Sequence, residues 1–241
     1  MDDAPKLAYS GKIALVTGSR RGVGRMITDH FLAGGATVIG FAKGESTNDH
    51  PSYHHFQVDV GVPAEVVAAF GEIGRTFKAV DIVVNNAAVL TSQYAMIMPP
   101  AAVQAMINVN LLGSFMVSRE AAKLMRKRKW GRIINIGSMA ASLEPIGDSV
   151  YAATKAGIAT IANVLAKELG PLNVTCNTLG ITAIDSDMLA QLPRDKIEAI
   201  IATLPVARFA QPDDILNVID FFAAERSSYI TAQTVFLGGV N

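Results

Sequence analysis

K-I-A-L-V-T-G-S-R-R-G-V-G, Lys12 to Gly24, runs from a short apolar stretch into a glycine-rich turn and on into a helical pattern. Lys12–Thr17 reads as a buried strand that breaks at Gly18, and Val23–Ala33 as the helix that follows. Glycines in such a turn allow close approach of the backbone to a pyrophosphate, whose charge then rests on the helix N-terminus. The strand–turn–helix context makes T-G-S-R-R-G-V-G, Thr17 to Gly24, a dinucleotide-binding turn.

Outward from that turn, strand-like and helix-like segments alternate to the end of the chain. Further strands are expected at Ala36–Phe41, Tyr53–Val58, Val80–Val84, Arg132–Ile136, Val174–Leu179 and Thr234–Leu237. Helices are expected at Pro63–Phe77, Ala101–Lys127, Val150–Leu169, Asp187–Ala202 and Asp213–Ala224, the first of these opened by its proline. Continuously apolar strands separated by helices imply an α/β fold, a doubly wound, Rossmann-type, mostly parallel seven-stranded sheet covered on both faces. Ligands then sit beyond the carboxyl ends of the strands. Ala42 to Ser52 is too short for a full crossover helix, so a loop or single turn is expected there. No linker or repeat interrupts the 241 residues, and one domain spans 1–241.

Half the residues are hydrophobic and 17% are charged, which favours a buried core over disorder. Formal net charge is zero, so no overall field attracts nucleic acid or an anionic membrane. The run Arg126-Lys127-Arg128-Lys129 falls where a long helix should end, and cations there complement its dipole. Cys176 is the single cysteine, which excludes an intrachain disulfide and fits a reducing compartment; its apolar neighbours make it a core thiol. His50, His54 and His55 lack acidic or thiol partners at zinc-like spacing, so no metal is expected. No apolar run reaches the ~20 residues of a membrane span, and the acidic N-terminus has no signal-peptide core. A cytoplasmic location is expected.

Tyr151 and Lys155 stand four apart in S-V-Y-A-A-T-K-A-G, and Ser138 lies upstream at the end of a strand. Residues i and i+4 share a helix face, so phenol and ammonium can project into one cleft. A neighbouring Lys⁺ is expected to lower the phenol pKa. With T-G-x-x-x-G-x-G, N-N-A-A at Asn85–Ala88, Asn110, Ser138 and Y-x-x-x-K, the chain resembles the short-chain dehydrogenase/reductase family. More narrowly it is similar to the single-domain branch that includes 3-oxoacyl-carrier-protein reductases. The likeness extends to R-F-A-Q-P-D-D-I at Arg208–Ile215 and Y-I-T-A-Q-T-V-F-L-G-G at Tyr229–Gly239.

The resemblance implies hydride transfer between a nicotinamide and a carbonyl or secondary alcohol carbon. It makes Tyr151 the general acid in reduction and the base in oxidation. Lys155 holds the nicotinamide ribose, Ser138 positions the reacting oxygen, and Asn110 disturbs its helix and leads a water-borne proton path to Lys155. It places Gly18, Ser19, Arg20, Arg21, Gly22, Val23 and Gly24 around the pyrophosphate and adjoining ribose. Asp59 and Val60 fall at the adenine, Asn86, Ala87 and Ala88 beside the adenine ribose, and Gly180, Ile181 and Thr182 at the nicotinamide. Asp59 has a second reading as the cap of the helix opening at Pro63. Thr182 and Ser186 are equal candidates for the carboxamide. Ala88 replaces the usual Gly and is tolerated at negative φ.

The acidic residue that binds the ribose hydroxyls of NAD belongs at the end of the second strand. That place is Ala42, followed by Lys43, with Arg20 and Arg21 nearby. Guanidinium suits bidentate phosphate binding, so NADP(H) is expected, with NAD(H) the alternative if Glu45 or Asp49 supplies a carboxylate. Leu179 stands where the family has proline, which should loosen the segment lining the nicotinamide. A lid is expected over 181–204. Substrate contacts are expected from Ser138, Ala140, Glu144, Ile146, Met188 and Leu189, a mostly apolar set with one carboxylate that does not identify a molecule; the resemblance implies a small or acyl-type carbonyl substrate. An NAD-dependent dihydrodiol or cyclic-alcohol dehydrogenase and a dinucleotide-binding module without turnover are the alternative readings. The resemblance implies a homotetramer or homodimer; the apolar residues Ile158, Ile161, Val164 and Leu165 serve either the core or such an interface.

Overall fold

The computed structural model describes residues 8–184, 189 and 194–240. Seven strands form one sheet: β1 Ile13–Thr17, β2 Thr37–Ala42, β3 Tyr53–Gln57, β4 Ile82–Asn85, β5 Gly131–Ser138, β6 Val174–Ile181 and β7 Thr234–Phe236. Their order is β3-β2-β1-β4-β5-β6-β7, and every neighbouring pair is parallel. The chain leaves β1 for β2 on one side and returns to β4 on the other. A crevice therefore opens above the carboxyl ends of β1 and β4, the switch point where doubly wound sheets bind ligands.

Helices cover both faces, and strand alternation decides which core each side chain joins. Leu15 of β1 packs in a cluster with Val66, Phe70 and Ile73 of α2 (Pro63–Thr76). Val117 and Ala121 of α4 (Ser114–Arg128) and Leu165 of α6 (Ser149–Leu169) complete that face. Ala14 and Val16 face the other way, against Ile27 and Phe31 of α1 (Gly22–Ala33) and Ile215, Ile219 and Phe222 of α8 (Pro212–Ala223). Ile158 and Leu165 are thus core residues and Ile161 packs partly against the core, whereas Val164 is exposed. Proline opens α2 and α8, where its missing N–H costs nothing.

No helix forms between Ala42 and Tyr53, as the short crossover predicts. The expected helix from Ala101 is a composite: α3 (Pro100–Met106), a π-helical stretch at Ile107–Gly113, then α4. By length and composition alone Pro100–Arg128 is apolar enough to cross a bilayer, although polar residues such as Gln104, Asn108 and Asn110 interrupt it. Its apolar residues Met106, Val117, Ala121 and Met125 are buried in this protein's own core. Of the basic run, Arg128 at the end of α4 pairs with the buried Asp81 at 3.0 Å, and Lys129 turns the chain at φ 50°. The expected helix from Asp187 is described only as α7, Arg194–Ile201; its earlier part lies outside the described residues. α5 is a single turn at Ala140–Leu143.

Candidate active site

The glycine-rich turn is a cradle that side chains would fill. Gly18 adopts φ 69° and Gly22 φ 54°, a region that favours glycine. A Cβ at Gly24 would lie 2.2 Å from the Gly18 carbonyl oxygen and 2.4 Å from Asn86 Nδ2. The first turn of α1 therefore packs directly on the turn that precedes it. Thr17 ties this turn to the end of β4: its Oγ1 accepts from the backbone N–H of Asn86 (3.0 Å) and Ala87 (2.9 Å). Asn86 Nδ2 donates in return to the Thr17 carbonyl at 2.9 Å. Ala88 is absent from the residues with positive φ, which meets the condition for replacing glycine there.

The adenosine side departs in detail from the expected contacts. Lys43 reaches across to Asp59 Oδ2 at 3.0 Å, so the two residues assigned to different parts of the cofactor are paired with each other. Asp59 does not cap α2, whose cap position is Val62; its Oδ1 accepts from the Gly61 N–H at 2.9 Å. The guanidinium of Arg20 lies over Gly44, where a Cβ would meet it at 2.3 Å, and its buried Nε has no hydrogen-bond partner among the described residues. Arg21, at the cap position of α1, is exposed beside it. Glu45 and Asp49 are both exposed.

Sequence reasoning missed the support under this turn. The Ser19 hydroxyl and Tyr53 hydroxyl are 2.8 Å apart, Tyr53 Oη is 3.2 Å from His55 Nδ1, and His55 Nε2 is 2.8 Å from the Gly44 carbonyl. A carbonyl only accepts, so Nε2 carries the proton; in the neutral ring Nδ1 then accepts from Tyr53, and Ser19 donates to Tyr53. The relay links turn, edge strand and crossover loop. Gly40 inside β2 was its signal, since glycine in a strand marks close approach. A Cβ there would lie 2.1 Å from the Tyr53 hydroxyl.

The second half of the site stands at the carboxyl ends of β5 and β6 and on α6. Ser138 stands close enough to Tyr151 to act on its phenol, and Ser138 Oγ accepts from the Ala140 N–H at 3.1 Å. Lys155 Nζ is buried, 5.7 Å from the centre of the Tyr151 ring, and donates to the Ile136 carbonyl at 2.8 Å. Asn110 sits one layer behind, within the π-helical stretch. Its Oδ1 accepts from Val89 N–H (2.8 Å), and its Nδ2 donates to the Val89 carbonyl (3.0 Å) and Thr154 Oγ1 (3.2 Å). Thr154 in turn donates to the Tyr151 carbonyl at 2.7 Å. The expected disturbance of the long helix at Asn110 is thus present, and it clamps the loop after β4 to α6.

Burial dominates the electrostatics. It pushes the Tyr151 phenol up to about 12, against the lowering effect of Ser138 and with Asp148 adding to the rise. The expectation that Lys155 lowers this pKa is not met here, because the ammonium is drawn to the Ile136 carbonyl. Burial also pushes Lys155 down to about 8. A phenol that keeps its proton at neutral pH is in the state of a general acid.

The predicted substrate and nicotinamide residues divide. Ala140 is buried against Tyr151, Glu144 is exposed at φ 47°, and Ile146 stands 83% exposed at the rim. Leu189 packs partly against Ala183, Ile197 and Ile201, whereas Met188 and Ser186 lie outside the described residues. Thr182 is buried, its methyl beside Gly238. Gly180 has a packing role, since a Cβ there would strike the Phe236 ring at 2.1 Å. Leu179 does not loosen the strand. It is fully buried, and β6 stays paired with β5 through Ser138↔Ile181 and with β7 through Gly180↔Phe236. Of the expected lid, 181–184, 189 and 194–204 are described, the last of these carrying α7.

Residues 12–197 match the family described as short chain dehydrogenase. The chain belongs to that family. The 3-oxoacyl-[acyl-carrier-protein] reductase of Escherichia coli is 34% identical, with 96% of this chain and 97% of that protein aligned. That of Aquifex aeolicus is 32% identical over 97% of this chain and 98% of its own. A gluconate 5-dehydrogenase from Burkholderia cenocepacia, solved with NADP and tartrate, superposes with a TM-score of 0.91 at 26% identity, covering 97% of this chain and 96% of that one. Thermoplasma acidophilum aldohexose dehydrogenase gives 0.89 at 25%, covering 97% and 95%. This short-chain dehydrogenase is accordingly an NAD(P)-dependent oxidoreductase acting on CH–OH and C=O groups.

Proposed function

We propose that the protein is an NADP(H)-dependent reductase of a small or acyl-type ketone, with Tyr151 as the proton donor. The observation that carries this reading is the buried Lys155 ammonium 5.7 Å from the centre of the Tyr151 ring, with Ser138 acting on the same phenol from the end of β5. The nicotinamide, when bound, supplies the hydride. Ser138 and Tyr151 hold the substrate oxygen between two hydroxyl groups, and Tyr151 gives it a proton as its negative charge develops. Lys155 holds the nicotinamide ribose and replaces the proton, with Asn110 fixing the wall behind it. In the oxidative direction the same phenol accepts the proton, which its raised pKa disfavours at neutral pH.

NADP(H) is favoured by Ala42 at the end of β2, which offers no carboxylate to a ribose, and by the partnerless Arg20 Nε beside it. Of the relatives, the gluconate 5-dehydrogenase was solved with NADP. Lys43 contributes less than the sequence suggests, since Asp59 holds it. The expected kcat/KM is at least tenfold higher with NADPH than with NADH. Arg20→Ala should lower it for NADPH by about 10–100-fold, the worth of a hydrogen bond to a charged group, and leave NADH little changed. A tenfold preference of the wild type for NADH would overturn the choice.

The pH profile follows from Lys155. Its folded pKa lies below the usual lysine value, so the ammonium is lost on raising pH through about 8. Steady-state kcat/KM for ketone reduction should fall above that pH, well before Tyr151 itself discharges near 12. A profile flat to pH 10 would show that the charge of Lys155 is not needed.

A further inference from the structure

The side chains of Ser19, Tyr53 and His55, linked beneath the glycine-rich turn, take no part in the proposed chemistry. Their relay ends on the Gly44 carbonyl of the crossover loop, with contacts of 2.8, 3.2 and 2.8 Å in turn. Ser19 and Tyr53 are buried, so each hydroxyl is costly unless it keeps its partner. Burial pushes the Tyr53 phenol up, against the lowering effects of the Ser19 bond and of Arg25 and Arg20, so it stays protonated and able to donate to His55. The parallel ladder already joins β2 to β3 from Val38↔Tyr53 to Ala42↔Gln57. The sheet itself therefore does not need the relay.

What the relay holds and the ladder does not is Gly44, two residues beyond the end of β2. Gly44 is held from two sides. Its carbonyl accepts from His55 Nε2, and the Arg20 guanidinium rests against its Cα, where a Cβ would lie 2.3 Å from Nη1 and 2.8 Å from Cζ. The Gly18 N–H donates to the Phe41 carbonyl at 2.8 Å, so the turn that carries Arg20 runs alongside the last residues of β2. Arg20 thus stands beside Ala42, where the proposed reading puts the cofactor ribose. A long side chain already held in place loses less freedom when it binds a ligand. Other parts of the crossover loop have their own tethers: Gln57 Nε2 donates to the Lys43 carbonyl (2.9 Å) and Arg25 Nη1 to the Thr47 carbonyl (2.6 Å). Loss of the relay should therefore be felt at Gly44 rather than along the whole loop.

We infer that Tyr53 and His55 are positioning residues for cofactor selection. Through the Gly44 carbonyl they fix the platform on which the Arg20 guanidinium is set to meet the 2′-phosphate of NADP(H). The inference rests on the proposed NADP(H) reading. It goes beyond that reading by assigning part of the preference to side chains that act through Arg20 and do not themselves touch the cofactor.

The test measures dissociation constants for NADPH and NADH by fluorescence titration, alongside steady-state kinetics. In Tyr53→Phe, which keeps the buried ring, and in His55→Ala, NADPH affinity should fall about tenfold, within the range of a hydrogen bond to a charged group. NADH affinity and kcat should stay near wild type. His55→Gln, whose amide can still donate to the Gly44 carbonyl, should restore most of the NADPH affinity. Gly44→Ala displaces Arg20 without touching the relay, should show the same selective loss, and decides the matter if Tyr53→Phe fails to fold. Adding Tyr53→Phe to Arg20→Ala should weaken NADPH no further, because the relay acts through that guanidinium. Equal losses for both cofactors, additive losses in the double variant, or unchanged NADPH affinity in the single variants would each overturn the inference. Failure of the underlying reading is recognised separately: Arg20→Ala itself would then leave the NADPH-to-NADH ratio unchanged, and both would fall.

Discussion

Tyr151→Phe is expected to fold and bind dinucleotide like the wild type while its kcat falls by about 10²–10⁴-fold, the range attributed to a positioned proton donor. The substitution removes one oxygen and leaves the ring. That ring packs with Met106, Ala140 and Ala152, and all of those contacts are kept. Ser138 keeps its bond from the Ala140 N–H and some exposure to solvent. The stability cost should therefore stay within the ~1 kcal/mol of an ordinary hydrogen bond. What disappears is the phenolic proton that acts beside Ser138. Thermal unfolding, fluorescence titration with NADPH and steady-state turnover are the three measurements. Turnover close to wild type would remove Tyr151 from the reaction.

The second large effect is expected at Gly24. Even alanine there places a Cβ 2.2 Å from the Gly18 carbonyl oxygen, a backbone atom that cannot swing aside as a flexible side chain would. Relief requires moving either the start of α1 or the turn itself, and Asn86 Nδ2 at 2.4 Å blocks part of that movement. Overpacking of this kind costs ~1–3 kcal/mol. The larger consequence is for binding, because the displaced N–H groups are those that we propose hold the pyrophosphate. Gly24→Ala should lose dinucleotide affinity by about 100-fold or more, taking each 1.4 kcal/mol as tenfold. Gly74→Ala is the control. Its Cβ would meet nothing closer than a methyl of Leu124 at 3.6 Å, and within α2 it should gain ~0.5–1 kcal/mol. Wild-type affinity in Gly24→Ala would mean that this turn does not hold the cofactor.

The cofactor side shows where one-dimensional reading reaches its limit. Ala42 was placed correctly at the end of β2, because strand length and the following loop fix that position along the chain. Lys43 was placed correctly too, yet its partner is Asp59, sixteen positions away and brought close only by the parallel pairing of β2 with β3. The relay from Ser19 through Tyr53 and His55 to the Gly44 carbonyl joins three segments that no spacing rule connects. Gly40 alone hinted at it.

The chain by itself determined the seven parallel strands, the phosphate-binding turn and the alignment of Tyr151 with Lys155. All three depend on short-range rules: apolar runs, glycine conformations and the helical repeat. Only the tertiary structure decided the electrical state of the group. A pKa follows from how deeply a side chain is buried and which atoms surround it, and those neighbours come from distant stretches of chain. Lys155 could be located by counting; that it turns toward the Ile136 carbonyl is a property of the packed core.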